Sequence, residues 1–290
     1  MTVRTLATLD MALGECPRWH EPEQAWYWVD ITGQTLYRYQ ASGQLDARRF
    51  PFQPACFAFA TDNSMILSSS AGLYRLTDFD AETEFLIDPE AGQTGQRFND
   101  GTVLPNGDLV IGSIGDGEQP TGVRYRFHWR PEGMSSQVIE TGYTIINAQC
   151  CSPDGSWCYV TDTPTQRIHR QAILDSGELG PKEVFYTCAE DEFPDGAATD
   201  IEGNLWVAMY GSAQIVVISP MGQKLQSIPL PAQQPTMVAF GGEDLKTLVI
   251  TTARQGMPDD APAENGSVLT LQTNVRGSVV IRCVVDSGTA

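Results

Sequence analysis

The sequence contains no apolar run that approaches the ~20 residues of a membrane-spanning helix. Its first residues, MTVRTLATLDMALGE, also lack the basic start and the apolar core of a signal peptide. These two absences predict a cytoplasmic protein that does not interact with a membrane.

Basic residues are scarce in this chain. Its 18 Lys and Arg residues face 36 Asp and Glu residues, which gives a formal net charge of −18. A strongly negative protein repels nucleic acids and anionic membrane surfaces. The charge therefore argues against both as partners and favours a cation or a neutral small molecule as the ligand.

The seven cysteines show neither C-x-x-C spacing nor the density of a disulfide scaffold. Cys150 and Cys151 are adjacent in a strand-like run, where successive side chains point to opposite faces, so they are poorly placed to bridge one another. We expect all seven to be reduced and most to be buried.

Several catalytic motifs are also missing. The sequence has no G-x-S-x-G, P-loop or G-x-G-x-x-G motif, so a serine hydrolase or a nucleotide-dependent enzyme has no support. His20, His128 and His169 are scattered and have no Ser or Cys partner at a suggestive spacing.

What the sequence does contain is a repeat: an apolar run, a turn rich in Pro, Asp, Asn or Gly, and one or two further apolar runs. Six copies at intervals of about 40–50 residues are typical of propeller blades with four strands each. The copies are RWHEPEQAWYWVDITGQTLYRYQ, FAFATDNSMILSSSAGLYRLT, TVLPNGDLVIGSI, QCCSPDGSWCYVTDTPTQRIHRQAI, AATDIEGNLWVAMYGSAQIVVIS and VAFGGEDLKTLVITTA.

Strand-type alternation recurs throughout, and no segment keeps a helical period. The segment GSVLTLQTNVRGSVVIRC predicts two more strands, and the N-terminal VRTLATL is placed to pair with the final blade and close the ring. We therefore predict an all-β, six-bladed β-propeller with a central metal site, formed by residues 1–290 as one domain. We expect a monomer or a weak homodimer. A pair of β-sandwiches is the alternative, but its strands would not repeat a hairpin at this period.

Polar residues stand at an equivalent position, just before the first strand, in four of the six repeats. If the ring closes, these residues face one another across the channel. They are Glu15 in the first repeat, Arg97, Asn99 and Asp100 in the third, Asn147 in the fourth and Asp195 in the fifth.

Glu15, Asn147 and Asp195 together offer two carboxylates and one amide oxygen. Oxygen ligands of this kind suit Ca²⁺, Mg²⁺ or Mn²⁺. Zn²⁺ and Fe²⁺ stay open, although His and Cys are the more usual ligands for them. The pattern predicts one divalent metal ion in the channel.

Five motifs, in order along residues 13–257, resemble those of the SMP-30/gluconolactonase/luciferin-regenerating-enzyme family, which includes regucalcin. The motifs are LGECPRWHEPEQAWYWVDI, RFNDGTVLPNGDLVIGSI, INAQCCSPDGSWCYVTDTPTQRIH, FPDGAATDIEGNLWVAMYG and PTMVAFGGEDLKTLVITTAR.

The resemblance implies a six-bladed propeller with one divalent metal in its channel. It implies that Glu15, Asn147 and Asp195 bind the metal and that Asp195 is also the catalytic base. Arg97 and Asn99 match residues that contact a sugar lactone.

The same resemblance adds further candidate site residues, and it also shows where this sequence differs from the family motifs. Asp100 completes its motif and is expected to brace the loop through hydrogen bonds. Family members carry an acidic substrate contact in the segment after the second motif, where Asp116 and Glu118 are the candidates here. The chain has E-C-P where many members have E-G-P, and NAQCCS where N-G-L-A-W-S is usual.

The implied function is metal-dependent hydrolysis of a sugar-acid lactone, such as a glucono-, galactono- or pentonolactone, to the open aldonic acid. Asp195, or water acidified by the metal, would supply the base. An organophosphate or aryl-ester hydrolase is one alternative, and a calcium-binding regulatory protein without enzymatic activity is another. A propeller that serves as a protein-binding platform would leave the channel residues unexplained.

Overall fold

The computed structural model describes residues 2–115, 118–130 and 132–285. Within these residues the chain forms 24 strands and one short 3-10 helix at Thr163–Thr165. The strands make six four-stranded sheets, each antiparallel. This arrangement confirms the predicted six-bladed β-propeller.

Blades and strands are both numbered in chain order. Within each blade the first strand is nearest the channel and the later strands follow outward, except that the outermost strand of blade 6 is β1. Blade 1 contains β2 Gly14–His20, β3 Ala25–Asp30, β4 Thr35–Gln40 and β5 Leu45–Arg49. Blade 2 contains β6 Pro54–Phe59, β7 Met65–Ser69, β8 Gly72–Leu76 and β9 Glu84–Ile87. Blade 3 contains β10 Arg97–Val103, β11 Leu109–Ile114, β12 Gly122–Arg130 and β13 Gly133–Tyr143.

The other three blades follow the same pattern. Blade 4 contains β14 Ile146–Cys151, β15 Trp157–Asp162, β16 Arg167–Ala172 and β17 Glu183–Thr187. Blade 5 contains β18 Phe193–Thr199, β19 Leu205–Tyr210, β20 Gln214–Ile218 and β21 Lys224–Pro229. Blade 6 contains β22 Pro235–Gly241, β23 Thr247–Thr252 and β24 Val268–Gln272, and takes its outer strand, β1 Arg4–Ala7, from the start of the chain.

The ring is closed by that outer strand. Arg4 pairs with Thr270 and Thr5 with Leu269, so the first and last parts of the chain share one sheet. This closure was predicted from the sequence and is confirmed. It satisfies the outer edge of β24, which would otherwise expose unpaired backbone groups.

The C-terminal segment differs from its prediction. Of the two strands predicted for this segment, only β24 forms, so the prediction of a second strand is wrong. After β24 the chain crosses one end of the channel. The Ser278 N–H donates to the Thr199 carbonyl of blade 5 at 3.0 Å, and the Cys283 N–H donates to the Phe59 carbonyl of blade 2 at 3.0 Å. The chain leaves its blade because these backbone groups find partners across the ring rather than on β24.

Each innermost strand carries a register shift near its start. On β2 the shift falls between Glu15 and Arg18, and equivalent shifts occur on β6, β10, β14, β18 and β22. At two of them a residue other than glycine has a positive φ, Cys16 at 51° and Ala148 at 52°. Such a bulge bends the strand and re-aims its side chains.

Packing between blades supplies the core. Tyr27 of blade 1 packs edge-to-face against Phe59 of blade 2, and Trp206 of blade 5 packs edge-to-face against Phe240 of blade 6. All seven cysteines are free and buried, as predicted. Within the described residues, no helix is long and apolar enough to cross a membrane.

We predict that Gly196→Ala destabilises the protein. A Cβ atom at Gly196 would lie 2.3 Å from Cγ and 2.9 Å from Cα of Met237, where β18 packs against β22. Overpacking of this kind costs about 1–3 kcal/mol of the free energy of unfolding. Gly180→Ala is the matched control, because its Cβ would meet no atom closer than 3.5 Å. Urea unfolding of both variants checks the prediction, and equal midpoints would contradict it.

Candidate active site

The predicted site residues lie on innermost strands of four blades. Glu15 is on β2, Arg97, Asn99 and Asp100 are on β10, Asn147 is on β14 and Asp195 is on β18. The expectation that they precede these strands is wrong in detail, because each lies inside the strand, beside its bulge. Neighbouring innermost strands contact one another around the ring, so these positions surround the same end of the channel.

A chain of hydrogen bonds connects blades 3, 4 and 5 at this level. The Arg97 guanidinium donates to Asn99 Oδ1 at 2.7 Å, and Asn99 Nδ2 donates to Asn147 Oδ1 at 2.9 Å. Asn147 Nδ2 donates to Thr163 Oγ1 at 3.0 Å, and that hydroxyl donates to the Pro194 carbonyl at 2.7 Å. This series of hydrogen bonds ends at Pro194, the residue before Asp195. It joins both candidate substrate contacts to one candidate metal ligand, Asn147, and ends beside a second, Asp195.

Two buried carboxylates, Asp100 and Asp195, and the half-buried carboxylate of Glu15 repel one another at the channel. Burial, followed by the charge of Asp100, raises the pKa of Glu15 to about 8. Burial, followed by the charges of Glu15 and Asp100, raises the pKa of Asp195 well above its usual range. The site therefore holds more negative charge than its surroundings neutralise.

Two arginines offset part of this charge. Burial lowers the pKa of Arg97 to about 10, although Glu15 and Asp195 act in the opposite direction. Arg18 lies three residues beyond Glu15 on β2, donates to the Gly101 carbonyl at 3.3 Å and lowers the pKa of both Glu15 and Asp100.

Asp100 is held entirely by backbone donors. Its Oδ1 accepts from the Gly101 N–H at 2.7 Å, and its Oδ2 accepts from the Gln149 N–H at 2.8 Å. Gln149 Nε2 in turn donates to the Asp100 carbonyl at 2.5 Å. These bonds join β10 to β14. Burial raises the pKa of Asp100 to about 6, against the lowering effect of the Gln149 bond.

The two remaining acidic candidates, Asp116 and Glu118, follow β11 in the sequence. Asp116 lies outside the described residues. Glu118 is exposed, on the segment that follows β11. Ile114, the last residue of β11, pairs with Arg97, so this segment leaves the blade at the end where Arg97 lies.

The sequence analysis did not select two side chains near the site, Arg18 and Tyr210. The charges of Asp195 and Glu15 both raise the pKa of Tyr210, after a larger contribution from burial, so its ring lies near both carboxylates. Tyr210 ends β19 opposite Phe193, two residues before Asp195. This strand pairing is the feature from which Tyr210 could have been identified as a neighbour of the site.

The donor set at this position fits a hard divalent cation. Glu15 and Asp195 are carboxylates whose charges oppose one another, and Asn147 adds an amide oxygen. Among residues 2–115, 118–130 and 132–285, no group of three or more His, Cys, Asp or Glu side chains is arranged to hold a metal. A cation here would therefore use the Asn147 oxygen beside the two carboxylates, with water as further ligand.

The chain is similar to known proteins along nearly its whole length. Residues 13–254 match the model of the SMP-30/Gluconolactonase/LRE-like region. The chain is 32% identical over 285 residues to the 6-deoxy-6-sulfogluconolactonase of Pseudomonas putida, covering 95% of this chain and 96% of that one. It is 30% identical over 283 residues to the L-arabinolactonase of Azospirillum brasilense, covering 96% and 94%. Its backbone is also similar to the crystal structure of a calcium-binding protein, regucalcin, from Agrobacterium tumefaciens, with a TM-score of 0.90, 27% identity and coverage of 98% and 97%.

We predict that Thr163→Val weakens metal binding. Thr163 Oγ1 accepts from Asn147 Nδ2 and so fixes the orientation of the Asn147 amide, with Oδ1 toward the channel. Removal of the Thr163 hydroxyl leaves this amide free to rotate. Loss of a group that orients a ligand typically costs about 10–100-fold in metal affinity. Titration calorimetry with Ca²⁺ and Mn²⁺ measures the change.

The control for that experiment is Thr165→Val. Thr165 lies in the same 3-10 turn and is exposed, and its hydroxyl donates to the Asp162 carbonyl at 2.7 Å. Equal affinities of the two variants would show that Thr163 does not orient a ligand.

Proposed function

Because the chain belongs to the SMP-30/gluconolactonase/LRE-like family, we propose that it hydrolyses a sugar-acid lactone to the open aldonic acid with one divalent cation. Relatives named as sugar lactonases, among them the 6-deoxy-6-sulfogluconolactonase and the L-arabinolactonase, support the reaction class. Glucono-, galactono- and pentonolactones are the proposed substrates.

One observation carries the proposal: the hydrogen-bond chain from Arg97 through Asn99 to Asn147. A site that served only to bind calcium would have no use for a guanidinium at this position. A guanidinium and an amide beside a cluster of oxygen ligands suit a polyhydroxylated ring whose carbonyl must be polarised.

Asp195 is proposed as the general base. It would accept a proton from the water that attacks the lactone carbonyl carbon, and would return that proton to the ring oxygen as the C–O bond breaks. Burial raises its pKa, and a base with a higher pKa accepts this proton more readily.

Arg97 and Asn99 are proposed to hold the ring hydroxyls of the substrate. Arg97 would also offset the charge of the carboxylate product in a channel that is already negative. Glu15, Asn147 and Asp195 would hold the cation. When bound, a divalent cation polarises a carbonyl and stabilises negative charge on its oxygen.

We expect Asp195→Asn to reduce kcat by at least ~100-fold, as the loss of a general base does. The control is Asp191→Asn, an exposed carboxylate on the segment before the same strand. Because Asp195 would also bind the cation, metal affinity is measured for both variants and kcat is compared at saturating metal. An Asp195→Asn enzyme with its metal bound and a normal kcat would rule out this base.

Removal of the Arg97 guanidinium should mainly raise KM. Hydrogen bonds from a charged donor contribute about 1.5–3 kcal/mol, so Arg97→Met is expected to raise KM by about 10- to 100-fold with a smaller effect on kcat. Arg167→Met, an exposed arginine on β16, is the control. A fall in kcat at unchanged KM would mean that Arg97 acts in the transition state instead.

A further inference from the structure

Cys151 and Cys158 face one another across two strands of blade 4. Cys151 ends β14, Cys158 is the second residue of β15, and the two are directly paired in the antiparallel register. Side chains at directly paired positions lie on the same face of a sheet. The Cα separation of such pairs, about 4.5–5.5 Å, falls within the range that a disulfide spans.

Cys150 is excluded from this pair by the same register. It pairs with Tyr159 and therefore points to the opposite face. It packs with Tyr159 and Ala197 on the blade 5 side, whereas Cys151 and Cys158 pack with Leu104 and Val110 on the blade 3 side.

A buried arginine lies beside the pair. The Arg124 side chain is fully buried, and its Nη2 lies 3.1 Å from Cys158 Sγ. Its other donors bind neutral amides: Nε donates to Gln149 Oε1 at 2.8 Å, and Nη1 donates to Gln171 Oε1 at 2.6 Å. A buried guanidinium needs a nearby anion.

The anionic partners of Arg124 are few. Glu140 lies 3.7 Å from the guanidinium, and the Cys158 sulfur is the closer acceptor at 3.1 Å. The hydrogen bond from Cys151 and then the charge of Arg124 lower the pKa of Cys158 to about 6, against the effect of burial. By geometry, Cys158 Sγ accepts from Arg124 at 3.1 Å, and Cys151 Sγ donates to the Val103 carbonyl at 3.6 Å.

A cavity of about 490 Å³ reaches Cys151 from the end of the channel opposite the candidate active site. The C-terminal segment that crosses the ring covers only part of it, because Val279 and Ile201 of its lining are 77% and 54% exposed to solvent. A molecule little larger than water can therefore enter it.

We propose that Cys151 and Cys158 are an oxidative modification site, a dithiol that a small hydroperoxide entering this cavity converts to an internal disulfide. This site is separate from the proposed lactone site and does not depend on the proposed function.

The chemistry balances with a hydroperoxide as the only oxidant. The Cys151 sulfur, which lines the cavity, attacks one peroxide oxygen; the O–O bond breaks, and a sulfenic acid forms together with water or an alcohol, which carries the Cys151 proton. The Cys158 sulfur then attacks the sulfenic sulfur; the S–S bond forms, and the S–O bond breaks with loss of water, which carries the Cys158 proton. Two thiol groups are oxidised, and one hydroperoxide is reduced.

The test treats the folded, full-length protein with excess hydrogen peroxide, alkylates the remaining thiols and cleaves on the amino side of Asp residues. Asp154 lies between the two cysteines, so cleavage there separates them unless a disulfide joins the fragments. We expect the intact protein to lose the mass of two hydrogen atoms, and the two fragments to stay linked until they are reduced.

Three variants decide which cysteines take part. Cys151→Ser and Cys158→Ser should each abolish the linked fragments. Cys150→Ser should form them at the wild-type rate, although Cys150 lines the same cavity. The proposal is overturned if all seven thiols stay reduced in the folded protein, or if Cys150→Ser abolishes the linked fragments while Cys151→Ser retains them.

Discussion

Repulsion between carboxylates inside the channel is the constraint on which the site depends. Glu15, Asp100 and Asp195 come from three different blades, and burial denies them the water that would screen their charges. Arg97 and Arg18 offset only part of this charge. The carboxylates stay together because their strands are fixed by the blades and by the closure of the ring through β1 and β24. A divalent cation is the natural complement of such a group.

Much of this architecture could be predicted from the sequence. The repeated hairpins predict six blades because their spacing along the chain is kept although the individual strands differ in sequence. The prediction that the N-terminal VRTLATL pairs with the last blade is confirmed. The equivalent positions of Glu15, Asn99, Asn147 and Asp195 predict that they meet at the channel, and the structure places them on innermost strands at one end of it. Their roles as ligands, base and substrate contacts stay predictions.

The remaining features depend on local geometry that a periodic pattern does not contain. Residues three apart on a regular strand point to opposite faces, so the alternation did not select Arg18 beside Glu15, and only the bulge between them changes this. The crossing of the C-terminal segment depends on backbone partners on blades 2 and 5. The sequence drew attention to the adjacent cysteines at 150 and 151, whereas the opposed pair is Cys151 and Cys158, which only the strand register reveals.

The measurement that tests the central claim most directly is lactone hydrolysis by chelated and reloaded protein. Acid release from a panel of aldono-γ- and δ-lactones would be followed with a pH indicator after reloading with Ca²⁺, Mg²⁺, Mn²⁺, Zn²⁺ or Fe²⁺ in turn. The account predicts that chelation abolishes hydrolysis and that at least one ion restores it. Full activity in the chelated protein, or spontaneous rates for every lactone with every ion, would contradict it.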